Sequence, residues 1–84
     1  MTAMRFPVQV EVQLRPGIAD PQGATIERAL PALGFDGVES VRVGKSIRFT
    51  VEAADDTDAR RQVDDLCQRL LANPVIEDTE VRIG

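Results

Sequence analysis

The stretch VDDLCQRLLANPVIED, residues 63 to 78, decides how the chain folds. Apolar residues in its first half recur at positions i, i+3, i+4, i+7 and i+8, a spacing that places one continuous stripe along an α-helix. The stripe consists of Val63, Leu66, Cys67, Leu70 and Leu71. Asn73-Pro74 ends the helix, because a proline disfavours the α region for the residue before it. The stretch therefore predicts a helix with one core-facing side that leads directly into a strand.

Strands are predicted where apolar and polar residues alternate with a period of two, the pattern of a half-buried strand. The longest alternation runs from Phe6 to Leu14. The other alternating residues are Val41 and Val43, then Ile47, Phe49 and Val51, and finally Thr79, Val81 and Ile83. The connection around Gly44 is open to two interpretations. A hairpin with a three-residue loop over 44–46 sets Val43 opposite Ile47 and keeps the apolar residues on one face, and one long strand bent at Gly44 has the same parity.

A first helix is predicted from Pro21 to Leu33. The Asp20 carboxylate can accept hydrogen bonds from the free amides of the first turn, and Pro21 at the first helical position loses no bond. The apolar face consists of Ile26, Ala29, Leu30 and Leu33. Gly34 suits the left-handed conformation that ends many helices. Pro31 costs roughly 3 kcal/mol inside a helix, so we expect a kink or a loosened last turn there.

The order strand, helix, two strands or one bent strand, helix, strand predicts an α+β two-layer sandwich. It is of the ferredoxin-like β-α-β-β-α-β type, with two helices on one face of a mainly antiparallel sheet, in a single domain spanning residues 1–84. A chain of this length buries only about 60 to 65% of its unfolded surface, so association would stabilise it. Such a fold supports many functions and specifies none.

Composition restricts the chemistry of the chain. The net charge is −4 and basic residues are scattered among acidic ones, which argues against a nucleic-acid partner. No apolar run approaches the roughly 20 residues that span a membrane, and a cytoplasmic location is the default expectation. The chain has no histidine, tryptophan or tyrosine, so it lacks the usual general base, the commonest metal ligand and most stacking platforms.

The candidate reactive groups have structural interpretations. Cys67 lies on the apolar stripe of the second helix without a histidine to activate it, and is predicted to be a small buried hydrophobe. The second helix begins in an acidic run, where Asp56 or Thr57 is the expected cap. The carboxylates of this helix lack the spacing of a calcium loop and are expected to be solvated; they are Asp55, Asp56, Asp58, Asp64 and Asp65. Gly44-Lys45 is a weak phosphate-binding signal, because it does not open a helix.

Three separated stretches carry a family resemblance. They are Asp20-Pro21-Gln22-Gly23 with Ala29-Leu30 after it, Val41-Arg42-Val43-Gly44-Lys45, and the run from Leu66 to Asp78 that contains Asn73-Pro74. In this order and at these spacings they strongly resemble PurS, the small subunit of phosphoribosylformylglycinamidine synthase. The similarity covers nearly the whole chain.

The resemblance implies a role in purine biosynthesis, at the step that converts formylglycinamide ribonucleotide to formylglycinamidine ribonucleotide with ATP and glutamine. In such systems a synthetase subunit, PurL, binds ATP, magnesium and substrate, and a glutaminase subunit, PurQ, releases ammonia. PurS is expected to bridge the two and to support ammonia transfer, without catalytic residues, cofactor or metal of its own. A homodimer or homotetramer is expected, with no nucleic-acid or membrane partner.

Polar residues near the ends of elements are predicted to contact a partner or a second copy. They are Asp20, Gln22, Gly23, Arg42, Gly44, Lys45 and Asn73. The structural alternative is that Asp20 and Asn73 only cap helices and that Gly23 and Gly44 only serve the backbone.

Two other functions are compatible with a fold of this class. A regulatory module that senses a small molecule is the alternative hypothesis, because ferredoxin-like domains often act in this way. An RNA-binding domain would require aromatic residues on the exposed sheet face, whereas Phe6 and Phe49 are in phase with the buried set.

Overall fold

A computed structural model describes residues 3–84 as an antiparallel sheet with two helices. The strands are β1 (Met4–Leu14), β2 (Lys45–Ala53) and β3 (Glu77–Ile83), and the helices are α1 (Pro21–Ala29) and α2 (Asp56–Leu66). A 3-10 turn, Pro31–Leu33, follows α1, and a π-helical turn, Cys67–Leu71, continues α2. The predicted α+β class is confirmed.

The central strand of the sheet is β1, which is antiparallel to both neighbours in the order β2-β1-β3. Val10 lies opposite Ile47 of β2 and Val81 of β3, so the apolar positions of the three strands share one face. This confirms the prediction that the alternating apolar residues of the three strands lie on the same face of the sheet.

Helix α2 covers the middle of this apolar face. The buried apolar residues of the described chain are Phe6, Val8, Val10, Val12, Ala53, Ala59, Val63 and Cys67. Ala59, Val63 and Cys67 come from α2 and its π-helical turn, whereas Leu70, also predicted on the stripe, is 75% exposed. In the π-helical turn the Ala72 amide donates to the Cys67 carbonyl at 3.1 Å. The wider turn shifts the helical phase, so Leu70 leaves the buried side.

The chain around Gly44 differs from the predicted four-stranded sheet. Residues 3–84 form three strands, and of the two interpretations left open at Gly44 the hairpin over 44–46 is excluded, because Lys45 already pairs with Val12 of β1. Residues 41–43 instead run past the end of the sheet, where the Val41 amide donates to Glu27 of α1 and the Val43 amide donates to Asp20, the cap of α1. This geometry is closer to the alternative of one long, bent strand.

The helix ends agree with the sequence in α1 and differ in α2. Asp20 accepts from the Gly23 amide at 2.9 Å, the helix gives way to a 3-10 turn at Pro31, and Gly34 is left-handed with φ 91°. The cap of α2 is Asp55, whose carboxylate accepts from the Asp58 amide at 2.8 Å. The expected cap at Asp56 or Thr57 is wrong, because the chain is still extended at Asp55 and becomes helical at Asp56.

The molecule is elongated, because α1 does not pack on the sheet of its own chain. The described chain measures 59 × 25 × 15 Å with a radius of gyration of 17.0 Å, against roughly 12 Å expected for a compact chain of this length. Helix α2 lies against β2 and β3, whereas α1 makes no extensive contact with any strand within residues 3–84. The expectation of two helices on one face of the same sheet is corrected accordingly.

Candidate functional site

The predicted contact residues meet at the end of the sheet where β1 stops and β2 and β3 begin. We call this region the sheet-end surface: Asp20, Gln22, Gly23, Arg42, Gly44, Lys45 and Asn73. A cavity of about 270 Å³ there is lined by Asp20, Gln22, Gly44 and Lys45 together with Glu77. The Glu77 carboxylate also accepts from the Asn73 amide at 2.7 Å. The structure thus brings residues from all three quoted stretches to one end of the molecule.

Asp20 organises this end by holding two backbone segments. Its carboxylate accepts from the Gly23 amide of α1 at 2.9 Å and from the Val43 amide at 2.7 Å. The bonds from Gly23 and Val43 hold the pKa of Asp20 below its usual value, and the positive charge of Arg42 acts in the same direction. Asp20 is therefore a helix cap and also the link between α1 and the chain that enters β2.

The two glycines are required by close backbone packing. A Cβ on Gly23 would overlap the Val41 carbonyl oxygen, and one on Gly44 would lie 2.7 Å from the Val12 carbonyl oxygen. Neither position has room for a side chain without movement of the backbone. The backbone role of Gly23 and Gly44 is therefore clear, and a partner contact there stays a prediction.

The cations of the sheet-end surface are exposed. Arg42 donates through Nη2 to the Arg15 carbonyl at 3.4 Å, and Arg15 lies 3.4 Å from the Asp78 carboxylate. Lys45 is exposed and forms no ion pair within residues 3–84. Arg42, Gly44 and Lys45 also line a broad open groove of about 850 Å³ on the polar side of the sheet. Two cationic side chains are thus directed to solvent from a fixed backbone corner.

Asn73 forms the turn between the π-helical segment and β3. Its Oδ1 accepts from the Val75 amide at 3.0 Å, and its carbonyl accepts from Ile76 and Glu77. Arg15 fastens the same turn, because its Nη2 donates to the Pro74 carbonyl at 2.6 Å. The structural role of Asn73 is therefore explicit, and it lies on the Arg15 side of the surface.

Two contributors to this region were missed by the sequence reasoning. The Glu27 carboxylate accepts from the Val41 amide at 2.8 Å, and Arg15 joins the ends of β1 and β3. A signal existed for Glu27, because it lies seven residues after Asp20 and so on the same side of the helix two turns later. Arg15 follows the apolar alternation of β1 without a distinguishing pattern.

Cys67 is buried, as predicted. Its side chain lies in the main apolar cluster, and burial raises the pKa of the thiol, with the nearby negative charge of Asp64 adding to the effect. A raised thiol pKa lowers the fraction of reactive thiolate at neutral pH. Cys67 therefore packs as a small hydrophobe.

The carboxylates of α2 serve the helix itself. Asp58 accepts from the Ala54 amide and pairs with Arg61, and these bonds, that of Arg61 first, hold the pKa of Asp58 below its usual value. Asp64 and Asp65 lie 3.6 Å and 3.0 Å from Arg60 and Arg69, each one turn away on the helix. In the part of the chain that the structure covers, no three histidine, cysteine or acidic side chains cluster in a way that would hold a metal ion.

The aromatic residues and the helices bear on the other hypotheses. Phe6 is buried and Phe49 half-buried on the core face of the sheet, away from the polar face that an RNA-binding sheet would use. Among residues 3–84, the helices are all too short or too polar to cross a membrane.

Comparison with known proteins points to one family. A family model described as PurS, phosphoribosylformylglycinamidine (FGAM) synthase, matches residues 7–84. The PurS subunit of phosphoribosylformylglycinamidine synthase from Methanothermobacter thermautotrophicus is 45% identical over 81 residues, which cover 96% of this chain and 95% of the relative.

Solved structures agree with the sequence comparison. The PurS subunit from Thermotoga maritima superposes with a TM-score of 0.88 at 39% identity, covering 100% of this chain and 97% of that one. A chain in the structure of PurLQS from the same organism superposes with a TM-score of 0.87 at 41% identity, covering 96% and 99%. The chain belongs to the PurS family of phosphoribosylformylglycinamidine synthase subunits.

Proposed function

We propose that this chain is the non-catalytic PurS subunit of a phosphoribosylformylglycinamidine synthase, a ligase of purine biosynthesis. It joins a PurL-type synthetase and a PurQ-type glutaminase in one cytoplasmic assembly. The family match supports this role, and a PurS-like chain occurs in the PurLQS structure from Thermotoga maritima.

The observation that carries the proposal is the contrast between polar groups that are used within the chain and two cations that have no acidic partner in the described residues. The single thiol is in the core, and the acidic groups of α1 and α2 are bonded to backbone amides and arginines. Arg42 and Lys45, in contrast, are exposed on a corner that Asp20 and Gly23 hold in place. Such an arrangement suits recognition of an acidic partner surface, because fixed cations raise the association rate and select the partner.

Chemistry is divided among the three subunits in this proposal. ATP, magnesium and formylglycinamide ribonucleotide bind to the synthetase, and glutamine is hydrolysed by the glutaminase. This chain bridges the two and supports passage of ammonia from glutamine to the ATP-activated substrate. It also associates with itself, as a homodimer or homotetramer.

The test is reconstitution from purified subunits. The synthetase, the glutaminase and this chain are combined with ATP, magnesium and formylglycinamide ribonucleotide, and product is measured with glutamine or with an ammonium salt as the nitrogen donor. Omission of this chain is expected to abolish glutamine-dependent synthesis and to leave ammonium-dependent synthesis largely intact, because free ammonia needs no bridge.

Unchanged glutamine-dependent synthesis without this chain would contradict the proposal. Loss of both activities would assign the chain a role inside the synthetase instead of between the subunits. Saturable heat on titration of the isolated chain with an amino acid or a nucleotide would favour the alternative, a module that senses a small molecule.

A further inference from the structure

One aspartate of the chain lies in an exposed turn and is followed by glycine. Asp36 and Gly37 are in the connection between the 3-10 turn and β2, and both residues are exposed. A Cβ added to Gly37 would meet no atom within 4 Å, so nothing packs against its backbone on that side. Within residues 3–84 the Asp36 carboxylate forms no ion pair and the Gly37 amide donates to no backbone carbonyl. Both groups are therefore available for a reaction with each other.

These two groups can form a ring without another reactant. The Gly37 nitrogen attacks the carbon of the protonated Asp36 carboxyl group, a C–N bond forms and a C–O bond breaks. The hydroxyl oxygen leaves as water, which takes up the amide proton, and the product is a five-membered succinimide. Water then adds at one of the two ring carbonyl carbons and breaks the C–N bond there. Opening at the side-chain carbon restores aspartate, and opening at the backbone carbon gives isoaspartate, in which the chain continues through the side chain.

The glycine and the turn both favour ring closure. Glycine has no Cβ beside the attacking nitrogen, and its backbone reaches conformations that are closed to other residues. Ring closure also requires the aspartate to turn its side chain over the next peptide group. A residue inside a helix or a paired strand reaches that geometry only after local unfolding, whereas a residue in an exposed turn does not need it.

The other aspartates lack these conditions. Asp20 is followed by Pro21, whose nitrogen carries no proton, and its carboxylate is bonded to two backbone amides. Asn73, the single asparagine of the chain, is blocked in the same way by Pro74. The remaining aspartates lie at the start of α2, within α2 or in β3, and each is followed by a residue with a side chain; they are Asp55, Asp56, Asp58, Asp64, Asp65 and Asp78.

We propose that Asp36-Gly37 is a modification site at which the folded chain forms isoaspartate. The isoaspartyl residue presents a free α-carboxylate on an exposed turn. This carboxylate is the methyl acceptor for an S-adenosylmethionine-dependent carboxyl methyltransferase that recognises isoaspartate. The site does not depend on the proposed role of the chain as a synthase subunit.

The modified chain should remain folded. Isomerisation adds one methylene group to the backbone of the turn, and every residue from 31 to 40 is exposed, so no buried side chain is displaced. Beyond the turn, Glu27 and Asp20 accept from the Val41 and Val43 amides and hold the chain that enters β2. The product is therefore expected to accumulate in the native protein.

Ageing of the intact chain in heavy-oxygen water tests the site. The purified chain, in its native oligomer, is incubated at neutral pH and physiological temperature, transferred to ordinary water and digested with trypsin. Each ring opening incorporates one solvent oxygen, which mass spectrometry locates. Peptide 29–42 contains Asp36 as its only aspartate, and peptide 70–82 contains only Asp78 and is the internal control. Label in peptide 29–42 should exceed that in peptide 70–82 at least tenfold, and a recombinant isoaspartate methyltransferase should methylate peptide 29–42 of the aged chain.

Two variants separate the chemistry from other sources of label. Gly37→Ala adds a Cβ that meets no atom, so the fold should persist, and labelling should fall at least fivefold because the attacking nitrogen is hindered. Asp36→Glu would have to close a six-membered ring and should abolish labelling. Equal label in the two peptides, or unchanged labelling in Gly37→Ala, would overturn the proposal.

A synthetic peptide of residues 29–42 tests the contribution of the fold. Labelling in the folded chain should be no more than about threefold slower than in the free peptide, because the turn reacts without local unfolding. Stronger protection in the folded chain would show that the turn is covered or held, and would overturn the proposal. None of these measurements uses the synthetase or the glutaminase, so the modification site and the proposed assembly role can fail separately.

Discussion

Helices α1 and α2 begin with the same device and have opposite surroundings. Asp20 accepts from the Gly23 amide at 2.9 Å, and Asp55 accepts from the Asp58 amide at 2.8 Å. Both helices have apolar residues at helical spacing. Helix α2 buries Ala59 and Val63 against the sheet, whereas the only buried residue of α1 is Gly23. Apolar spacing therefore predicts that a helix face must be covered, and it does not specify what covers it.

The connections after the two helices explain the difference. Beyond α2, Asn73 closes a short turn, and the Arg15 amide donates to the Ile76 carbonyl at 2.8 Å, which aligns β3 with β1 under the helix. Beyond α1, the chain turns at Gly34 and runs back along the helix as far as Val43, where Asp20 holds it. The first connection returns the chain to its own sheet, and the second keeps it outside.

Truncation of one apolar residue on each helix gives the largest expected contrast. Val63→Ala should lower the free energy of unfolding by about 2 kcal/mol at every protein concentration, because it removes two buried methyl groups and leaves a cavity. Leu33→Ala should change the free energy of unfolding by less than about 0.5 kcal/mol at low protein concentration, because Leu33 is 69% exposed in the single chain. Urea unfolding at two well-separated protein concentrations measures both.

The same unfolding measurements can also contradict the claimed difference between the surroundings of α1 and α2. If Leu33→Ala lowered the free energy of unfolding as much as Val63→Ala at low concentration, Leu33 would be covered within its own chain. If Val63→Ala became milder at high concentration, the sheet and α2 would not be a self-contained core.

The sequence predicted local structure well and the placement of residues 21–43 poorly. Face parity, the break at Pro31 and the buried Cys67 follow from residues close in sequence, so their periodicity and turn chemistry were sufficient. The sequence left a hairpin and a bent strand open at Gly44 because both have the same parity, and pairing of Lys45 with Val12 decides against the hairpin. Side-chain periodicity contains no information on such long-range pairing.

The sequence predicted which residues form the candidate site, but it did not predict where in the fold they come together. Asp20 comes from one stretch and Arg42 and Lys45 from another, and only the fold shows that they share one end of the sheet. Glu27 was overlooked because an acidic residue on a helix is normally solvated, and its contact with the Val41 amide depends on where the chain returns.

Gly23→Ala tests the close packing at the start of α1, because it should destabilise a helix that a glycine-to-alanine change normally stabilises. In a helix, replacing glycine by alanine normally stabilises by about 1 kcal/mol. Here the added Cβ would overlap the Val41 carbonyl, so the variant should be less stable by roughly 1 kcal/mol or more. Thermal unfolding followed by circular dichroism measures the change. Gly37→Ala, where a Cβ meets no atom within 4 Å, is the control and should change stability little.

The link that Asp20 makes between α1 and the chain entering β2 should depend on pH. The folded-state pKa of Asp20 is lowered, so its stabilising contribution is fully present above the ordinary value of 3.8 and is lost as the pH falls through the lower folded-state pKa. The protection factors of the Gly23 and Val43 amides, which are corrected for the intrinsic exchange rate at each pH, should therefore fall in that acid range. Asp20→Asn should remove most of this pH dependence. Asp36→Asn is the control, because Asp36 is exposed, and it should leave the pH dependence unchanged. Equal protection of both amides above and below the transition would contradict the link.

Arg42→Ala should have the smallest effect on stability and the most informative one on function. Its guanidinium is exposed and makes one long bond to the Arg15 carbonyl, so the free energy of unfolding should change by no more than about 0.5 kcal/mol. Arg5→Ala, at the other end of the sheet, removes a similarly exposed arginine paired with Glu52 at 3.2 Å and is the matched control. In the reconstituted synthase, Arg42→Ala should weaken glutamine-dependent synthesis at limiting subunit concentration, whereas Arg5→Ala should not. Because neither variant removes a buried side chain, a difference between them reports a partner contact at the sheet-end surface, and equal activities would remove Arg42 from that surface.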